Sequence, residues 1–325
     1  MERRKGLKLV AAVAAVTALT LVVTGCASSG GTKTGSTAAK KVKVGLVQIN
    51  QQAIFFNQMN EGAQQSAKEN GVDLTIFNAN DDPAKQNEAI ANFVTQGFGA
   101  IIVVAIDTEG VKPAIQEAKK KGLKIICVDA VVGDPAVDAQ VGVDNAAAGK
   151  EIGKFVADYI KTNKVSPPNI GIIGALNSTI QNLRKDSFVS VVEASGAKIT
   201  QVVDGQNRQE AALTAAENLM TAQKETTILY ATGEPAMVGG VAAARSQNKT
   251  ATVKLFGWDL TAEVIKGIDD GFVMGVVQQD PKTEGFEAVK AAKTLVGGGS
   301  VDKVLNIPIK IVTKANVEPY RTIFK

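Results

Sequence analysis

The chain contains no histidine, and it has only one tryptophan and three tyrosines among its 325 residues. The absence of histidine excludes Ser-His-Asp triads, histidine general bases and the usual histidine-containing zinc sites. The sequence also contains neither the phosphate-binding motif G-x-x-x-x-G-K-[ST] nor the dinucleotide-binding motif G-x-G-x-x-G. Its acidic cluster Asn80-Asp81-Asp82 runs directly into Pro83 and lacks the alternating spacing of a calcium loop. We therefore expect neither a metal site nor a cofactor.

A basic and then apolar segment precedes the first of only two cysteines. Four basic residues lie within the first eight positions, and the small apolar residues that follow end in the tetrapeptide Val-Thr-Gly-Cys at Cys26. This arrangement is typical of an export signal, and an apolar run of about 17 residues is at the lower limit for a membrane-spanning helix. The ending resembles a bacterial lipobox, so we expect a signal peptide over residues 1–25 and lipidation of Cys26. The alternative is a membrane helix with a chance cysteine.

Residues 26–40 contain no large apolar side chain, so they predict a flexible tether that precedes folded structure near Lys41. Residues 1–25 hold four of the 36 basic and one of the 32 acidic residues, which leaves 32 and 31 in the rest. This balance, without clusters of Lys and Arg, argues against a nucleic-acid partner. Cys127 lies in an apolar run and is expected to be a buried free thiol. Since Cys26 is assigned to lipid, no intrachain disulfide is expected.

Short β-branched runs alternate with longer amphipathic segments through the rest of the chain. Several runs are apolar throughout, as is typical of parallel strands covered on both faces. Residues 84–96 repeat apolar side chains at helical spacing, with Asp82 as the cap and Pro83 in the first turn. The strand candidates are Val42–Gln48, Asp73–Phe77, Ala100–Val104, Lys124–Val128, Asn169–Gly174, Lys198–Val203, Thr227–Ala231, Val253–Gly257 and Val273–Val277. The alternation predicts an α/β fold with doubly wound parallel sheets.

The strand–helix pattern occurs twice. Gly45 and Gly71 are 26 residues apart in the first βαβαβ unit, and Gly171 and Gly196 are 25 residues apart in the second. Gly71 and Gly196 each close a helical segment before the next strand. Two such units predict two Rossmann-like lobes. Open parallel sheets bind ligands beyond the carboxyl ends of their strands, so the site is expected in the cleft between the lobes.

Nearly every strand candidate is followed by a side chain that can bind a ligand. Phe55 and Phe56 lie together in a polar loop after the first strand, where a hydrophobic staple onto the next helix is the alternative role. Carboxylates, amides and an arginine around aromatic faces are suited to a small polyhydroxylated ligand. The candidate substrate-binding residues are Gln51, Phe55, Phe56, Asp129, Arg184, Asn207, Glu234, Trp258, Asp259 and Gln279.

Five short motifs also occur in a characteristic order between residues 42 and 313. They are Phe55-Phe56 followed by Glu61-Gly62-Ala63, Asn80 to Lys85 with Pro83-Ala84, Val143-Asp144-Asn145 followed by Gly149, Phe256 to Asp259, and Gln279 two residues before Pro281. In this order and spacing the chain resembles the type I periplasmic sugar-binding proteins, with the ribose-binding proteins nearest in pattern. The resemblance implies a monomeric, extracytoplasmic lipoprotein, anchored to the cell membrane, that passes a small sugar or polyol to the permease and ATPase subunits of an ABC importer.

The resemblance implies roles for individual residues. Phe55 and Phe56 correspond to an aromatic pair that sandwiches the sugar ring. The groups that correspond to hydroxyl ligands are Asp129, Arg184, Asp259 and Gln279. Arg184 and Asp259 are expected side by side in a wet cleft on the second lobe, where their replacement weakens binding and leaves the unliganded fold almost unchanged.

The chain departs from the ribose pattern in four places. Ala130 occupies the position of an arginine, Asn207 that of an aromatic residue, and Gly233-Glu234 that of Asn-Asp. The loop at residues 51–53 is one residue longer. These differences argue against ribose and favour a different pentose, a hexose or a linear polyol.

The resemblance further implies that the chain passes between the lobes three times, near Val143, Gln279 and Val304. The resulting first lobe consists of residues 41–143 and 280–304, and the second of residues 144–279 and 305–325.

Three other functions are compatible with these residues. A sensor would report ligand occupancy to a membrane receptor, and the neighbouring genes would separate it from an import protein. A glycoside hydrolase could pair Glu234, Asp259 and Asp129 as its carboxylates, although the duplicated binding-protein pattern argues against it. A different small polar ligand, such as a furanosyl signalling molecule or a nucleoside, is the third, and Glu234 with Asn207 can serve a polyol or an amine.

We predict that Cys26→Ala abolishes the incorporation of labelled fatty acid, because this thiol is the acceptor in a lipobox. The variant is expected to be released from membranes or to remain unprocessed. Cys127→Ala is the matched control and leaves labelling intact. Labelling that persists in Cys26→Ala would contradict the lipoprotein assignment.

Overall fold

The computed structural model describes residues 41–51, 54–176 and 178–325. The expected signal peptide, Cys26, the tether and residues 52 and 53 of the longer loop lie outside the described residues. The described chain from Lys41 to Lys325 forms a compact unit.

Strands and helices alternate along almost the whole described chain. Up to Gly142 they are β1 (Val42–Gln48), α1 (Ile54–Asn70), β2 (Val72–Asn78), α2 (Pro83–Thr95), β3 (Ala100–Val103), α3 (Lys112–Lys120), β4 (Lys124–Val128) and β5 (Ala139–Gly142). Beyond it they are α4 (Asn145–Thr162), β6 (Asn169–Gly174), α5 (Thr179–Ala194), β7 (Lys198–Asp204), α6 (Gln209–Ala222), β8 (Ile228–Ala231), α7 (Glu234–Ser246), β9 (Lys254–Trp258), α8 (Ala262–Asp269), β10 (Val273–Gln278), α9 (Pro281–Val296), β11 (Val304–Asn306) and β12 (Lys310–Val312).

The described strands form two six-stranded sheets with the same strand order. The first runs β2-β1-β3-β4-β5-β11 and the second β7-β6-β8-β9-β10-β12. Apolar clusters cover both faces of each sheet, so the central strands are buried throughout, as in β3 and β6. The predicted α/β fold with two doubly wound lobes is confirmed. The first sheet forms the first lobe together with α1–α3 and α9. The second sheet forms the second lobe together with α4–α8.

Three short edge elements escape the sequence pattern. β5 has four residues, and β11 and β12 have three each, which is too few to show periodicity. β12 runs antiparallel to β10, so the second sheet is not purely parallel. β11 pairs with β5 up to Asn306, so the chain leaves the first sheet after this residue, slightly beyond the Val304 expected from the sequence.

Several local signals are confirmed. Asp82 caps α2 by accepting hydrogen bonds from the backbone amides of Ala84 and Lys85, and Pro83 is the first residue of the helix. Gly71 and Gly196 adopt φ values of 66° and 92°, which favour glycine at helix ends. Cys127 is a buried free cysteine, and burial raises the pKa of its thiol to about 12. No described helix has the length and apolar character needed to cross a membrane.

Two glycines allow α1 and α9 to touch. A Cβ atom on Gly62 would lie 1.8 Å from the carbonyl oxygen of Lys282, and one on Gly285 would lie 2.0 Å from that of Met59. Since the obstacles are backbone atoms, a side chain fits only if the helices separate. This contact packs α9 against the first lobe. The helix follows β10, after the second passage of the chain between the sheets.

We predict that Gly62→Ala lowers the free energy of unfolding by about 1–3 kcal/mol, because α1 and α9 must move apart. Gln64→Ala, on the exposed face of the same helix, is the control and is expected to change it by less than about 0.5 kcal/mol. Denaturant titration measures both values. Equal stabilities for the two variants would contradict the close-contact explanation.

Candidate functional site

A cavity of about 450 Å³ lies where the carboxyl ends of strands from both sheets meet. Elements of both lobes line it, as expected for a ligand site between two open sheets. Its walls combine carboxylates, amides, hydroxyls, one guanidinium and apolar side chains. The predicted residues that line it are Phe55, Asp129, Arg184, Asn207, Glu234, Asp259 and Gln279.

Asp129 and Asp259 occupy equivalent positions at the ends of β4 and β9. Both adopt left-handed backbone conformations, with φ values of 62° and 65°. Each donates its backbone N–H to the next strand of its sheet, Asp129 to Val141 at 2.9 Å and Asp259 to Val277 at 2.8 Å. Aspartate tolerates this conformation better than most residues. The duplicated fold thus delivers two half-buried carboxyl groups to the same cavity, one from each lobe.

Arg184 is the cation of the cavity and is fixed by the second lobe. Its Nε donates to Asn145 Oδ1 at 2.7 Å, its Nη1 to the carbonyl oxygen of Thr232 at 3.2 Å, and its Nη2 to Gln279 Oε1 at 3.4 Å. Its guanidinium carbon lies 3.6 Å from the ring centroid of Trp258, a distance suited to a cation–π contact. Only 5% of the residue is exposed, so the expectation of a freely wet arginine is wrong.

Trp258 lies behind Arg184. Its indole is fully buried and donates from Nε1 to the hydroxyl of Tyr230 at 2.8 Å. The sequence predicts Trp258 as a ligand contact. In the structure it is not among the residues that line the cavity, and it supports the guanidinium from behind. The reason is the alternation of side chains along β9, which directs this residue into the core beneath the site.

The two adjacent phenylalanines divide their roles. Phe55 lines the cavity, whereas Phe56 does not. The rings meet edge to face, with centroids 5.4 Å apart, and both pack against the core of the first lobe. Consecutive residues on α1 are about 100° apart around the helix, so the two rings leave it in different directions. Gln51 is exposed and is likewise absent from the described lining.

A chain of hydrogen bonds orients the amide side chains of the second lobe. Gln181 Nε2 donates to Asn207 Oδ1 at 2.8 Å, and Thr232 Oγ1 donates to Gln181 Oε1 at 2.7 Å. Gln279 links two groups already described, since its Nε2 donates to Asp259 Oδ1 at 2.9 Å while its Oε1 accepts from Arg184. These contacts fix which amide atoms face the cavity.

The sequence reasoning missed several lining residues. They include Ser178, Gln181, Thr261, Gln278 and Phe324. Gln181 lies three residues before Arg184 on α5, so helical spacing alone was sufficient to find it. No sequence signal of this kind points to Phe324, because it does not directly follow a strand and is not on a helix with another predicted residue.

The buried carboxyl groups influence one another electrostatically. Burial raises the pKa values of Asp129 and Asp259, and the nearby charge of Arg184 opposes both shifts. Burial lowers the pKa of Arg184, which still stays protonated because guanidinium is such a weak acid. Glu234 keeps an exposed surface, and the partial desolvation of its carboxyl group raises its pKa, helped by Asp259 and by Glu263.

Glu284 carries a further acidic group behind the cavity. The residue is completely buried on α9, and neither carboxyl oxygen has a hydrogen-bond partner among the described residues. Burial holds its pKa well above the ordinary value, and the charges of Asp129, Asp280 and Asp259 act in the same direction. No group of three or more described Cys, Asp or Glu side chains has the arrangement of a metal site.

Comparison with known proteins gives a consistent result. Residues 44–300 match the family described as periplasmic binding protein domain. The chain is 24% identical over 275 residues to the ribose import binding protein RbsB of Bacillus subtilis (strain 168), which covers 85% of this chain and 88% of that protein. It is 26% identical over 319 residues to the xylitol-binding protein of Mycolicibacterium smegmatis (strain ATCC 700084 / mc(2)155), covering 95% and 86%.

A solved structure shares the fold. It is an ABC transporter solute binding protein from Mycobacterium smegmatis with bound glycerol, which is 27% identical to this chain. The two superpose with a TM-score of 0.75 over 86% of this chain and 96% of that chain.

We predict that Arg184→Ala lowers the free energy of unfolding of the unliganded protein by about 1–3 kcal/mol, because it leaves buried acceptors without their donor. Arg208→Ala, an exposed arginine at the start of α6, is the control and should change it by less than about 0.5 kcal/mol. Chemical unfolding measures both. Unchanged stability in Arg184→Ala would mean that these hydrogen bonds contribute nothing to the unliganded fold.

A second prediction concerns Glu284 and pH. Because folding raises the pKa of this carboxyl above its ordinary value of 4.5, the folded chain binds the proton more tightly than the unfolded chain does. The contribution of Glu284 to the free energy of unfolding therefore falls as pH rises above 4.5. Glu284→Gln is expected to be more stable than the parent protein at pH 8, with an advantage that shrinks towards pH 4.5. Chemical unfolding across this range, with the exposed Glu61→Gln as control, tests it; a constant difference contradicts the buried-acid explanation.

Proposed function

The chain belongs to the periplasmic binding protein family, and we propose that it captures a small sugar or polyol in the cavity between its lobes and delivers it to an ABC importer. The observation that carries this proposal is the cavity itself. Carboxylates, amides and a guanidinium converge on it from the ends of the strands, and Phe55 adds an aromatic face. The polar groups suit hydroxyls, and the ring suits the C–H surface of a sugar.

The division of the lining between the lobes supports a hinged capture mechanism. Phe55 and Asp129 belong to the first lobe, whereas Arg184 and Asp259 belong to the second. A ligand that contacts both sets stabilises a closed arrangement of the lobes over an open one. Gln279 lies in the passage between β10 and α9, so one ligand-facing residue is itself part of a connection between the lobes.

The ligand class is supported by relatives that are named for different ligands. One similar protein is a ribose import binding protein, another is a xylitol-binding protein, and one solved structure holds glycerol. Ala130, Asn207 and Glu234 replace ribose-pattern residues, and Asn207 and Glu234 line the cavity. We therefore favour a different pentose, a hexose or a linear polyol over ribose.

The family implies an extracytoplasmic location. We further propose that a lipid on Cys26 anchors the protein to the cell membrane, that it works as a monomer, and that its partners are the permease and ATPase subunits of the importer. Family members are binding proteins, and we infer that Asp129, Glu234 and Asp259 bind the ligand without turnover. Incubation with labelled glycosides is expected to release no product.

The direct test is a thermal-shift screen of the purified protein with pentoses, hexoses, linear polyols and nucleosides. A true ligand at 100 times its dissociation constant adds about 2.7 kcal/mol to the free energy of unfolding. A hit among sugars or polyols supports the proposal. Stabilisation by nucleosides alone, or by none of the compounds, overturns it.

The two phenylalanines provide a matched pair for the same site. We predict that Phe55→Ala weakens binding of the hit by about 5- to 30-fold, since the buried ring face contributes about 1–2 kcal/mol. Phe56→Ala is expected to lower the free energy of unfolding by about 1–3 kcal/mol and to leave affinity within about threefold. Calorimetric titration and unliganded melting separate the effects; a larger affinity loss in Phe56→Ala contradicts the assigned roles.

A further inference from the structure

The charges that line the cavity do not balance. Three carboxyl side chains face it, those of Asp129, Glu234 and Asp259, whereas Arg184 is the one basic side chain among the described lining residues. Carboxylates bind hydroxyl groups, but an excess of acidic over basic side chains also favours a ligand that carries a positive charge. The imbalance therefore carries information about the ligand.

Arg184 cannot compensate all three carboxyl groups. Its charge acts on Asp129 and on Asp259, and these two groups flank it from the two lobes. Its donors are directed at Asn145, Thr232 and Gln279, so the guanidinium is held in place on Trp258. It forms no hydrogen bond or ion pair with Glu234, and it cannot rotate towards that residue without breaking this set of bonds.

Glu234 has no cationic partner among the described residues. It is the first residue of α7, where the helix dipole favours the ionised form of a carboxyl group. It forms no hydrogen bond or ion pair with any described residue, and the titratable groups that act on it are the acids Asp259 and Glu263. When the lobes close over a neutral ligand, this carboxylate loses water and gains no counter-charge, which is unfavourable.

Glu284 responds to the same negative charges from behind the cavity. It is fully buried, its oxygens lack partners among the described residues, and burial together with the charges of Asp129, Asp280 and Asp259 raises its pKa. The carboxyl groups that line the cavity therefore disfavour carboxylate and phosphate ligands and favour a positive group.

We propose that the ligand is a sugar or polyol that carries a protonated amino group, and that this ammonium binds between the carboxylates of Glu234 and Asp259. This inference rests on the proposed function, because it specifies the ligand class of the same cavity. The ammonium donates charge-assisted hydrogen bonds to both carboxylates, while the hydroxyl groups use Arg184, Gln279 and Asn207. The ligand thus supplies the cation that the lining lacks.

The test compares matched ligands by calorimetric titration of the purified protein at pH 6.5. The pairs are D-glucosamine with D-glucose, D-galactosamine with D-galactose, 1-amino-1-deoxy-D-glucitol with D-glucitol, and an aminodeoxyinositol with its parent inositol. In at least one pair the amine is expected to bind about 10- to 150-fold more tightly, the range for one hydrogen bond to a charged group. Glu234→Gln is expected to reduce this preference to threefold or less, whereas Glu263→Gln, outside the cavity lining, keeps it.

The outcomes separate this inference from the proposed function. Equal or tighter binding of the neutral partner in every pair overturns the amine assignment and leaves sugar or polyol binding intact. An amine preference that survives Glu234→Gln overturns the position assigned to the ammonium. Binding of neither partner in any pair overturns the amine assignment, and the thermal-shift screen, which also contains pentoses, decides the proposed function. Melting curves of the unliganded variants show that each is folded before titration.

Discussion

The site depends on one immobilised cation. Arg184 combines three hydrogen bonds with a contact to the face of Trp258, and the tryptophan is itself held by Tyr230. A long flexible side chain loses much rotational freedom on binding, and here that freedom is lost during folding. The carboxyl groups of both lobes are then arranged around a charge whose position is already fixed.

The duplicated fold explains how carboxyl groups reach that charge from two sides. β4 and β9 end in the same way, with an aspartate in the left-handed region whose amide is bonded to the next strand. The backbone thus sets the direction of each carboxyl group before any ligand is present. The specificity of the cavity lies elsewhere, in residues that break the symmetry of the lobes, such as Glu234 and Asn207.

The sequence predicts the architecture well because buried parallel strands have a strong composition signal; Lys124–Val128 and Asn169–Gly174 appear with the same bounds in the structure. It fails for three-residue edge strands, whose pairing depends on tertiary contacts. For the site, seven of the ten residues predicted from the carboxyl ends of strands line the cavity. The rule does not tell which of two neighbouring residues faces the cavity, so Phe56 and Trp258 were predicted as ligand contacts although neither lines it. Phe324 reaches the cavity only through the tertiary path of the chain.

The interleaving of the lobes has a consequence for folding order. α9 completes the first lobe against the Gly62 surface of α1, yet it follows all of β6–β10 in the chain. The contacts that close this lobe therefore span more than 200 residues, and such long loops slow folding. The first lobe cannot reach its final packing until β6–β10 of the second lobe have been synthesised. The two halves are thus coupled as the chain folds, before any ligand joins them.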